Sequence, residues 1–130
     1  MSISSQPVPF TIPNVDHGLR KAEGVLKLDD GMLNLEYKTK DGFVGVIQSD
    51  IQELRIPLKE LEGVEFKKGL FSHKLILHGT SMKSFEKVPG TEQASCTLKI
   101  ARKNRKSAQN LASQIRLFLS EEKLRKLDES

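Results

Sequence analysis

The order of its parts constrains this chain more than any single motif does. Turn-punctuated strand signals run from about residue 24 to 102, and one amphipathic helix follows from 104 to about 119. A lone helix with an apolar stripe has only the preceding strands to bury it against. That order predicts a mainly β unit of about seven antiparallel strands, bent into a small barrel or sandwich and capped by one C-terminal α-helix.

The strand signals alternate between turns. Gly24, Val25, Leu26, Lys27 and Leu28 run into a turn at Asp29, Asp30 and Gly31, after which Leu33, Leu35 and Tyr37 alternate with Asn34, Glu36 and Lys38. This predicts a tight hairpin with one face inward. A second turn at Lys40, Asp41 and Gly42 leads to a strand candidate over 43–47, and another carries Leu54, Ile56 and Leu58. Pro57 cannot donate to a ladder and belongs at a strand edge or bulge. Further candidates fall at Val64 and Phe66, at 75–77, at 82–88 before a turn at Pro89 and Gly90, and at 94–102.

Upstream, Pro7, Pro9 and Pro13 argue for an extended N-terminal arm over residues 1–21. Val8, Phe10 and Ile12 alternate, so an edge strand, a strap across the domain and disorder all fit. The folded domain is expected over 22–120, with a charged tail at 121–130. On the helix, Ala108, Leu111, Ala112, Ile115, Phe118 and Leu119 share the face that meets the strands. Leu117, Leu124 and Leu127 fall roughly opposite, either as a seam for self-association or as scattered leucines on a fraying helix end.

At 130 residues one core is expected. The single Cys96 lies in the alternating run Cys96, Leu98, Ile100, which predicts a buried thiol and a reducing, cytoplasmic setting. The first residues lack a cationic opening or a long apolar run, and no stretch is long enough to cross a bilayer, so neither export nor a transmembrane segment is expected.

Charge is uneven. The net +4 divides into +5 over residues 99–130 and −1 over 1–98. Lys99, Arg102, Lys103, Arg105 and Lys106 crowd the junction of the last strand and the helix. Cations at a helix start oppose its dipole at a cost of about 0.3 to 1 kcal/mol each, so helix stability does not explain them. Two readings stay open: an anion-binding site, and a solvated basic turn with no ligand.

Other chemistries find less support. His73 and His78, five apart, take opposite faces of a strand, and His17 and Cys96 have no flanking ligand pair, so no metal or other cofactor is expected. No serine sits in a Gly-x-Ser-x-Gly elbow, the glycines fall singly at turns, and Cys96 belongs to the core, so an enzyme is not expected. Nucleic acid is disfavoured despite a pI near 9.2, because aromatics are 5% of residues, with no Trp and one Tyr to stack on bases.

The opening Gly24-Val25-Leu26, the run Arg55-Ile56-Pro57-Leu58 leading into Leu61-Glu62-Gly63-Val64, the turn-rich later hairpins and the single terminal helix resemble the pleckstrin-homology-like superfold. The likeness is to small bacterial PH-like or GRAM-like domains and covers about residues 22–120. It implies a strongly bent seven-stranded barrel, one end plugged by the helix, that binds and does no chemistry. The expected role is protein–protein interaction or self-assembly as a homo-oligomer. The alternative is binding of phosphate or an acidic lipid surface, peripheral at the membrane, through the basic junction. Phosphoinositide-binding members carry a basic loop between their first two strands. Here that place holds Asp29, Asp30 and Gly31, with Lys27 and Lys38 nearby, and two carboxylates would repel a polyphosphate.

Overall fold

The computed structural model describes residues 6–15, 19–41, 50–89, 91 and 93–129. Among them, seven strands form one antiparallel sheet: β1 (Val8–Val15), β2 (Arg20–Asp29), β3 (Met32–Asp41), β4 (Gln52–Pro57), β5 (Leu61–Lys67), β6 (Ser72–Gly79) and β7 (Ser95–Ala101). A single helix, α1 (Arg105–Glu129), follows. The spatial order is β4-β3-β2-β1-β7-β6-β5, so β4 and β5 are the two edges.

Local chemistry sets the clearest hairpin. Asp29 pairs with Met32 across a two-residue loop in which Asp30 and Gly31 have φ of 51° and 75°. Both values are positive, the condition for a type I′ turn, and glycine meets it without strain. From that turn the alternation propagates. Leu33, Leu35 and Tyr37 of β3 point inward, as do Leu75 and Leu77 of β6 and Cys96, Leu98 and Ile100 of β7. These residues join one core with Ala108, Leu111, Ala112 and Ile115 of α1.

Residues 1–21 are not merely an arm: within them β1 lies between β2 and β7 and buries Val8, Phe10, Ile12 and Val15. The folded body therefore begins by Val8. Of the two prolines in this inner strand, Pro13 falls where the ladder shifts register between Ile12 and Val15, and Pro9 sits in register opposite Val25. Toward β7, among the described residues, β1 pairs in register only at Thr11 with Lys99, so the sheet halves β1–β4 and β5–β7 meet through a narrow join. That join lets the two halves face one core.

Three other expectations change. The strand predicted over 82–88 is a series of turns, in which Ser84 N–H donates to Ser81 O, Glu86 N–H to Lys83 O and Val88 N–H to Phe85 O. Its buried apolar residues, Phe85 and Val88, are three apart, the period of a tight helical turn and not of a strand. The segment plugs the core beside the 3-10 turn Leu58–Glu60, and Ser84 Oγ donates to Glu60 O at 3.1 Å. Second, the predicted turn at Lys40 and Asp41 is the end of β3, and the strand candidate over 43–47 lies outside the described residues. Third, the tail expected at 121–130 is helical to Glu129, because neither Pro nor Gly interrupts it and Arg125 pairs with Glu122 at 2.6 Å. Pro57 falls at the end of edge strand β4, where its missing N–H costs nothing.

Helix α1 packs chiefly on β5 and on the Leu58–Glu60 turn. Arg116 reaches from it to the Val64 carbonyl of that edge strand, at 3.4 Å. No described helix is long and apolar enough to cross a membrane.

Candidate functional site

β6 and β7 pair through to their ends, with Ser72 opposite Ala101. That register brings two connections side by side: residues 68–71, which join β5 to β6, and the 3-10 turn Arg102–Asn104, which leads into α1. Between them is an open groove of about 590 Å³ lined by Lys68, Gly69, His73, Arg102, Lys103, Arg105 and Lys106. Five of its seven lining residues are cations and none is acidic.

None of these five cations has an ion-pair partner among the described residues. Lys67, at the groove's approach, is 3.9 Å from Glu65. Concentrating like charge around a concavity raises the local potential and attracts anions. The backbone at the groove wall is held in place: Gly69 N–H donates to His73 Nδ1 at 3.2 Å, and a Cβ on Gly69 would run into the Ser72 carbonyl oxygen. His73 is buried, tilted against Phe66 at 5.3 Å between ring centroids. Because its Nδ1 accepts that bond, the ring proton resides on Nε2.

Four of the five cations predicted from sequence thus line one groove. Lys99 does not: it alternates with the inward Leu98 and Ile100 and points to the outer face of β7. Lys68 and His73 were missed, because they are some thirty residues distant along the chain and only the β6–β7 register unites them with the helix start. The basic pair Lys67-Lys68 before Gly69 was the available signal.

His78 lies on the other face of β6 from His73, its Nε2 2.8 Å from Glu65 Oε1 and its Nδ1 3.1 Å from Ser95 Oγ. Among the described residues, no three His, Cys, Asp or Glu converge as metal ligands would. Cys96 is a free thiol that burial pushes up to about 12, so it is not poised as a nucleophile. Leu117, Leu124 and Leu127 are exposed, on the side of α1 turned from the core.

The acidic turn lies elsewhere than the sequence suggests. Asp30 and Gly31 connect β2 to β3, not the first two strands, whose own connection includes residues 16–18, outside the described residues. Asp29 and Asp30 therefore place no repulsive charge in the loop between the first two strands. Gly31 faces Phe118 of α1, thirteen residues beyond Arg105, which puts the acidic turn about 20 Å along the helix from the groove. No protein-family model, curated protein or solved structure matches the chain.

Proposed function

We propose that this chain is a non-catalytic binding module of the pleckstrin-homology-like kind, acting in the cytoplasm, whose basic groove takes an anionic group. One observation carries the reading: Lys68, Arg102, Lys103, Arg105 and Lys106, from two separate connections, converge on one groove with no carboxylate in its lining. A solvated basic turn has no need of a second segment folded against it. A site that holds phosphate or carboxylate gains from donors on two walls. The strand order and the terminal helix are compatible with the pleckstrin-homology-like reading.

The test compares pyrophosphate binding by the parent, by Lys103→Ala with Arg105→Ala, and by Asp29→Ala. The proposal predicts loss in the double variant, a steep weakening with salt in the parent, and no loss in Asp29→Ala. Equal weak binding by all three would leave only a solvated basic turn.

A second reading, self-assembly, is supported by the exposure of Leu117, Leu124 and Leu127 (56%, 63% and 69%) on a helix that continues past its last buried residue. Their spacing suits a helix–helix seam, and such an interface is insensitive to salt. Light scattering would show an oligomer that Leu117→Glu and Leu124→Glu dissociate; a monomer at high concentration would refute it.

A further inference from the structure

The connection between β5 and β6 carries the two most exposed large hydrophobic side chains among the described residues, Leu70 at 77% and Phe71 at 87%. Single exposed apolar residues are ordinary, but two adjacent ones at the tip of a turn are a small patch with a direction. The tip is held outward by its own chemistry. Gly69 is fixed by its bond to His73 Nδ1 and by its tight approach to the Ser72 carbonyl, and Ser72 is already in register with Ala101. Lys67 and Lys68 precede the tip, and Arg102, Lys103, Arg105 and Lys106 flank it across the groove.

We infer that this tip is a bilayer wedge: Leu70 and Phe71 enter the interfacial zone of an acidic membrane while the groove cations hold its phosphate headgroups. The inference rests on the anion-binding reading of the groove and names the partner that presents the anion. An apolar point framed by charge of one sign complements a surface whose outer layer is anionic and whose next layer is apolar. An acidic protein surface would complement the same cations but would need a pocket to receive Leu70 and Phe71, whereas an acidic bilayer offers an apolar layer directly beneath its charge. The acidic turn at Asp29 and Asp30 lies against the middle of the helix, about 20 Å along it from the groove and beyond the Debye length of about 8 Å at physiological salt.

The chain has no Trp, so Phe71→Trp creates a single reporter. Its emission should shift to the blue, and brominated acyl chains should quench it, on vesicles with about one-third phosphatidylserine but not on neutral phosphatidylcholine. Leu70→Gln with Phe71→Gln should lower partition onto the acidic vesicles about tenfold or more, the scale set by two large apolar side chains, while pyrophosphate binding stays at the parent's level. Both positions are exposed, so an unchanged melting temperature controls for folding. If the Gln pair partitions like the parent, or the Trp emission does not move, the wedge is overturned and the groove reading stands. If the parent binds neither pyrophosphate nor acidic vesicles, both fall. Equal, tip-dependent binding to polyglutamate in place of vesicles would assign the tip to an acidic polypeptide and overturn the membrane as partner.

Discussion

Cys96 carries the plainest consequence of burial at the scale of one residue. At 1% exposure its thiolate would lose hydration, which a hydrogen bond from Thr91 offsets only in part, and the thiol is pushed up from 9.0 to about 12. Between those values the unfolded chain has lost the proton and the native chain keeps it, so stability falls as pH rises from about 9. Cys96→Ala should remove that part of the alkaline decline, and native protein at neutral pH should resist thiol alkylation until it is unfolded; rapid labelling of the native state would contradict the buried placement. The alternation of Cys96 with Leu98 and Ile100 made this legible, because inward position follows from period alone. His73 was not legible in the same way. Its role at the groove wall depends on Gly69 and on the register with β7, which no local pattern encodes.

Elements were readable where one period dominates and a turn residue closes it. The β2–β3 hairpin follows from alternation plus Asp30-Gly31, and α1 from its stripe at 3.6 spacing. Misreading arose where two signals compete. In β1 the prolines favour an extended arm and the alternation of Val8, Phe10 and Ile12 favours a strand, and the register shift beside Pro13 accommodates that residue's missing donor. In 82–88 hydrophobicity suggested a strand while the spacing of Phe85 and Val88 already belonged to a tighter turn. The end of α1 was set too early because its apolar stripe stops near Leu119, whereas the helix persists on helix-forming side chains and local pairs such as Arg125 with Glu122. Burial grades the stripe itself. Ile115, fully buried, should cost about 2 to 5 kcal/mol when replaced by Ala, and Phe118, only partly buried against the core, should cost less. Denaturant unfolding measures both, and a small loss at Ile115 would mean the helix is not docked.

On the scale of the whole molecule, topology gathers charge that the sequence spreads out. Summing the chain locates the excess at its C-terminal quarter but does not show that Lys68 joins it, since that depends on β5, β6 and β7 being neighbours. The acidic turn at Asp30 and the basic groove occupy separate places along α1, which gives the molecule one end suited to anions. The most direct measurement is a titration of isotopically labelled protein with pyrophosphate, followed by backbone amide resonances. The account predicts that shifts concentrate at Lys68, Gly69, His73 and 102–106, fade with added salt, and leave Asp29, Asp30 and Gly31 unmoved. Shifts centred anywhere else, or none at concentrations that saturate a weak phosphate site, would contradict it.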